Sequence, residues 1–206
     1  MCIKIKDNLE NKNMWFNILN QWILNNKKYA EELNYEDVIY WHNEMANNSC
    51  LISAIWQIGG VATSEYSIDK KTTKNGGMAD IFFKLNDVSY IIESKFTRDI
   101  NNIEVYMKNA IEDCKDSYEE DIKNKMAIVF VSPINKKKEP KYQDYDIKVK
   151  LVISDKKEVE YKNKVYNIVY LFGKYIKDTT SRSNKNMFPR SGNIQPSRIK
   201  EINDRS

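Results

Sequence analysis

Residues 76–96 read GGMADIFFKLNDVSYIIESKF, and this stretch decides how the rest of the chain is arranged around it. Two apolar runs, 79–85 and 88–96, flank Asn86-Asp87, a dipeptide suited to the two-residue turns that need positive φ. The reading is therefore a β-hairpin. If Leu85 faces Val88, then Phe83 faces Tyr90 and Ile81 faces Ile92 on one side, while Phe82 faces Ile91 and Asp80 faces Glu93 on the other. Lys95 shares the face of the two acids.

Opposed residues in such a hairpin have Cα atoms about 4.5–5.5 Å apart, so two carboxylates there repel, and burial strengthens the repulsion. Something positive is expected between them. Lys95 alone could neutralise them as a structural ion cluster. A divalent cation is the alternative: two carboxylates on adjacent strands suit Mg²⁺, which takes oxygen ligands and keeps waters, leaving room for a phosphate oxygen. Lys95 would then stabilise charge on the phosphate, or act on the attacking water if its pKa is lowered.

The chain has 206 residues, 41% hydrophobic and 30% charged, which suits one sizeable domain with its own core. The sequence shows no apolar run near the ~18 residues of a membrane span and no secretory leader, so a cytoplasmic protein with no membrane partner is expected. Cys2, Cys50 and Cys114 form no CxxC pair, which argues against a disulfide framework or zinc knuckle. His42 is the only histidine, which disfavours His-rich zinc sites and serine triads. A thiol nucleophile made from His42 and Cys50 lacks an orienting third group.

Along the chain, Trp15, Phe16, Leu19, Trp22 and Ile23 recur at helical spacing over 13–29. A second helix is predicted from an Asn34 cap to Gln57, with Trp41, Met45, Asn48, Ile52 and Ile55 inward and Glu44 at the stripe's edge. A strand at 61–68 precedes the hairpin. A third helix is predicted over 101–124 after Asp99, burying Ile103, Met107, Ala110, Ile111, Cys114 and Tyr118. A buried strand, MAIVFVSPI, and strands near 148–153 and 164–172 follow. The class is α/β: a central mixed β-sheet flanked by helices, with an extra N-terminal helix and extra C-terminal strands. Residues 1–34 form the helical extension, 35–175 the core and 176–206 a basic tail. From Lys174 onward there are eight Lys or Arg against three Asp or Glu. That tail reads equally as an arm for a phosphate backbone or as a solvated segment.

Asp80, followed after twelve residues by Glu93-Ser94-Lys95, resembles the PD-(D/E)XK nuclease superfamily, which includes restriction endonucleases and DNA-repair nucleases. The resemblance spans about residues 36–131 and includes the order helix, three strands, helix, strand. It implies a restriction endonuclease-like core and a Mg²⁺-dependent nuclease, an endonuclease on double-stranded DNA, with Mn²⁺ as a substitute metal. Asp80 and Glu93 would bind metal with the Ser94 carbonyl, and Lys95 would serve hydrolysis. A third acid is expected from Glu44 or Glu65. Ala79 stands where the family's nominal proline does, and the helix after the third strand lacks the glutamine of the exonuclease-like branch. A homodimer joined through the aromatic N-terminal helix is also implied. The loop DKKTTKNGG, with Lys70, Lys71, Lys74, Gly76 and Gly77, could follow a phosphodiester backbone or be an ordinary turn, as could Lys136, Lys137 and Lys138. The alternatives are a catalytically inactive nucleic-acid-binding protein of the same fold and an RNA-cleaving nuclease.

Overall fold

The computed structural model describes residues 1–72, 76–119, 121–134, 139–154, 159–161 and 164–177. The chain runs β1 (Cys2–Ile5), α1 (Lys12–Glu32), α2 (Glu44–Gln57), β2 (Val61–Lys70), β3 (Gly77–Leu85), β4 (Val88–Thr97), α3 (Ile103–Asp116), β5 (Ser117–Tyr118), β6 (Asn124–Val131), β7 (Ile147–Val152), β8 (Glu160–Tyr161), β9 (Lys164–Val165) and β10 (Ile168–Lys177). Asn86 and Asp87 take φ of 49° and 60°, as the tight turn requires, and the ladder follows the expected register from Leu85↔Val88 to Ile81↔Ile92.

One mixed sheet of eight strands, in the order β1-β7-β10-β6-β4-β3-β2-β5, organises the molecule. Among the described residues its one parallel pair is β4 with β6, because the chain between them crosses over through α3. β6 is buried on both faces: Met126, Ile128 and Phe130 join the core under α1 and α2, while Ala127, Val129 and Val131 pack against α3. β8 and β9 form a separate two-stranded sheet. No helix among the described residues is long and apolar enough to cross a membrane.

Several expectations are corrected. The second helix does not begin at Asn34, which takes φ 51° just past α1; Asn43 is its cap, accepting a hydrogen bond from Ala46 N at 2.9 Å. The inward stripe also differs in part from the expected one. Asn47, Asn48, Cys50, Leu51, Ala54 and Ile55 are buried, and Met45 is 68% exposed. The third helix stops at Asp116 rather than 124, because Ser117 turns to extended backbone and pairs with β2.

Residues 1–34, expected as an extension, supply β1 to the sheet and α1 to the main core. Two aromatic residues of α1, Trp15 and Trp22, turn into the core of their own chain. Trp15 meets Phe83 and Tyr90 edge-on, with ring centroids 5.7 and 5.3 Å apart, and Trp22 packs on Phe130. Both indoles are buried within their own chain, while Phe16 and Leu24 of the same helix are each 49% exposed. Ile176 and Lys177 belong to β10, and the remainder of the basic tail lies outside the described residues.

Candidate active site

The open end of the hairpin is where the sheet loses its regularity. The β3–β4 ladder ends at Ile81↔Ile92, and the β2–β3 ladder skips from Ser64↔Ile81 to Tyr66↔Ala79. Asp80 occupies the gap in both. The residue across from it on β2, Glu65, has φ 50°, a left-handed backbone rarely used by side chains other than Asn, Asp or Gly. Ile81 packs in the α1–α2 core, yet Ala79 packs with Ile68 and Ile91 in another cluster. Residues two apart on a regular strand share a face, so β3 turns over at Asp80.

Asp80 therefore does not pair squarely with Glu93 as the hairpin register suggested. Its Oδ2 accepts hydrogen bonds from Ser94 N at 2.6 Å and Ser94 Oγ at 3.1 Å. A carboxylate released from the ladder gains a backbone donor in place of the repulsion that squared pairing would impose. Ser94 Oγ in turn accepts from Asn48 Nδ2 of α2 at 2.9 Å.

Glu93 continues on β4, opposite Ala127 of β6, with its side chain 4% exposed. Its Oε1 accepts from Lys70 Nζ at 2.8 Å and from Ser117 Oγ at 2.7 Å. Burial raises the Glu93 carboxyl above its ordinary pKa and Asp80 adds to this, against Lys70 and Ser117, which pull it down. Lys70 was expected in a loop that either follows a phosphodiester backbone or is an ordinary turn. Instead it ends β2, directly across from Ser117 of β5, and both side chains reach the same carboxylate oxygen. Gly77 makes the approach possible: a Cβ there would lie 2.6 Å from Lys70 Cγ. Gly76 has φ 70°, and a Cβ would come within 3.0 Å of Ile68 O. Lys71 has an exposed side chain and is anchored by its N–H on Asp116 O at 2.9 Å. Lys74 and Lys136 to Lys138 lie outside the described residues.

Lys95 forms an ion pair with Asp113 of α3 at 2.7 Å. Burial would lower its pKa, but Asp113, Asp80 and Glu44 outweigh that and hold the ammonium above its ordinary value. A lysine lowered into the range of a general base is thus not what this setting produces. Lys95 is a lasting cation.

Glu44, not Glu65, is the third acid the fold brings in. It opens α2, is bonded by the Phe96 backbone, and has its pKa raised by burial first and Asp80 second, with Lys95 opposing. Glu65 is exposed on β2. Asn48 lies one helical turn after Glu44, and its Oδ1 is buried with no partner among the described residues. Arg98 donates to the carbonyls of Trp41 and His42 and so ties the approach to α2 onto the end of β4.

Three contributors escaped the sequence reading: Asp113, Ser117 and Asn48 in its bonding role. The four-residue spacing of Asp113 and Ser117 puts both on one side of α3 and its end, but the sequence reading carried the helix on to 124 and so gave no sign that they face β4.

The donor set at this end of the sheet is all oxygen, which suits Mg²⁺ or Mn²⁺ rather than a thiolate metal. Both bonds to Glu93 fall on Oε1 and both to Asp80 on Oδ2. Among the described residues, each acid thus keeps a second oxygen to which no hydrogen bond is made. No three His, Cys, Asp or Glu side chains among the described residues gather as a full metal cage. The arrangement fits an ion that takes few protein ligands and keeps water.

Thiol chemistry finds no support nearby. Burial pushes the Cys50 thiol up to about 12, and His42 bonds to Asp37 and Trp41. A cavity of about 590 Å³ between α1 and α2 is lined by Tyr29, His42, Cys50 and Gln57, among others, and by none of Asp80, Glu93 or Lys95. No protein-family model, curated protein or solved structure matches the chain.

Proposed function

We propose that the chain is a Mg²⁺-dependent nuclease, a DNA endonuclease of restriction, defence or repair type, built on a restriction endonuclease-like core. The observation that carries this reading is the convergence of Asp80, Glu93, Glu44 and Lys95 at the one place where β3 leaves the ladder. Asp80 and Glu93 would hold the metal through the oxygens left over from Ser94, Lys70 and Ser117, together with the Ser94 carbonyl. A bound Mg²⁺ would acidify a water and offset phosphate charge. Glu44, whose carboxyl is raised by burial and by Asp80, would stand beside that water as a proton acceptor. Lys95, kept charged by three carboxylates, balances negative charge on the phosphate oxygens.

The test uses plasmid DNA, oligonucleotide duplexes and RNA in Mg²⁺ with wild type, Glu93→Ala and Lys95→Ala. Wild type should cut duplex DNA, and each variant should lose about 100-fold or more. If wild type cuts nothing, or the variants cut as well, the reading fails; cleavage of RNA alone would move the substrate class.

One observation favours a second reading. Glu93 already has Lys70 as counter-ion and Lys95 already has Asp113, as in a non-catalytic nucleic-acid-binding protein of the same fold. Retained nucleic-acid affinity with no Mn²⁺ or Mg²⁺ binding in calorimetry would select it.

A further inference from the structure

We propose that Lys70 and Ser117 are positioning residues that fix the Glu93 carboxylate by one oxygen, so that Glu93 meets its metal through Oε2 alone. This rests on the metal-dependent reading above. Three features make the pair a built clamp. Lys70 and Ser117 are cross-strand neighbours in the short β2–β5 ladder, so their side chains emerge on one face and converge on Oε1 at 2.8 and 2.7 Å. The clamp is enclosed, with the Lys70 side chain only 14% exposed and Ser117 buried.

Its two halves are also tied to each other. Lys71 N bonds to Asp116 O, and Thr72 N and Oγ1 bond to the Asp116 carboxylate at 2.9 and 2.7 Å, stapling the end of β2 to the end of α3. Lys125, itself buried, donates to Ser117 O at 2.7 Å. Gly77 completes the device, because its missing side chain is the channel along which Lys70 runs.

A rival role gives the opposite sign. If Lys70 were only a competitor for the metal, its removal would take a positive charge from the site and tighten metal binding. If it positions Glu93, its removal frees a buried carboxylate to swing and weakens binding, as losses of groups that orient metal ligands do.

The experiment is a Mn²⁺ titration by calorimetry of wild type, Lys70→Met, Ser117→Ala and Gly77→Ala, with circular dichroism and thermal melts on each. Gly77→Ala keeps the Lys70 charge but puts a Cβ 2.6 Å from its Cγ, so it separates position from charge. Expected are Mn²⁺ affinities about 10- to 100-fold weaker for Lys70→Met and Gly77→Ala, and a smaller loss for Ser117→Ala, in folded protein. Should Lys70→Met fail to fold, Gly77→Ala and Ser117→Ala decide the matter alone. Tighter binding in Lys70→Met, or wild-type affinity in the folded variants, overturns the clamp and leaves the nuclease reading standing. Absence of Mn²⁺ binding by wild type overturns both.

Discussion

At its turn, the β3–β4 hairpin is held by its own residues and one helix: Phe83 stacks on Tyr90 at 5.1 Å, and Trp15 stands edge-on to both. At its open end, the same two strands hold Asp80, Glu93 and Lys95, whose partners include Lys70 of β2, Ser117 of β5 and Asp113 of α3. Apolar pairs are satisfied by neighbours in the ladder, and any close-packed neighbour of the right size will serve. Charged groups in a buried setting need particular donors, which arrive from elsewhere in the fold. The turn end therefore contributes stability, and the open end gathers charged groups under partial repulsion.

That contrast can be broken most directly at Phe83. Phe83→Ala removes a buried ring from the aromatic trio and should cost about 3–5 kcal/mol in a urea melt. A loss under about 1 kcal/mol would mean that the turn end is not where stability resides.

A smaller effect of opposite sign is expected at the open end. Burial and Asp80 hold the Glu44 carboxyl above its ordinary value of 4.5. The folded protein thus keeps a proton that the unfolded chain gives up first, so the associated stability is full below about pH 4.5 and is lost as pH rises through the folded value. Glu44→Gln should then melt ~2 °C above wild type at pH 7, with the gain vanishing below about pH 4. A variant less stable than wild type at pH 7 would show that the carboxylate is well satisfied there, and the proposed strain would be gone.

The smallest change belongs to the turn. Asp87 sits at φ 60°, where glycine carries no side-chain penalty, so Asp87→Gly should stabilise by under about 1 kcal/mol in the same melt. The Lys84–Asp87 pair it removes is on the surface and worth little. Destabilisation would sharpen the contrast by showing that even the turn uses its charges.

The parts of the fold legible in the sequence were those governed by local rules. Asn86-Asp87 and the flanking apolar residues set the register, and MAIVFVSPI gave a strand buried on both faces. Helix ends were misread where two residues could cap: Asn34 and Asn43 are alike in type, and only the packing of the intervening segment selects Asn43. Four-residue β1 was too short to carry a pattern of its own and became visible only by pairing with β7. The acids and Lys95 were found because they share one hairpin. Their partners were not, and Lys70 was read into a loop facing either phosphate or solvent, for want of any local sign that it turns inward.

Residues 79–96 by themselves determined a hairpin with Asp80, Glu93 and Lys95 near its open end, since strand alternation and turn geometry act over a few residues. Only the tertiary structure decided which charges meet. Lys70 and Ser117 reach Glu93 across 23 and 24 residues of chain, and Asn48 reaches Ser94 across 46. Contacts at such separations depend on how α2, α3 and β2 pack against the sheet, and hydrogen bonds and ion pairs form only where that packing brings donor and acceptor within about 3 Å.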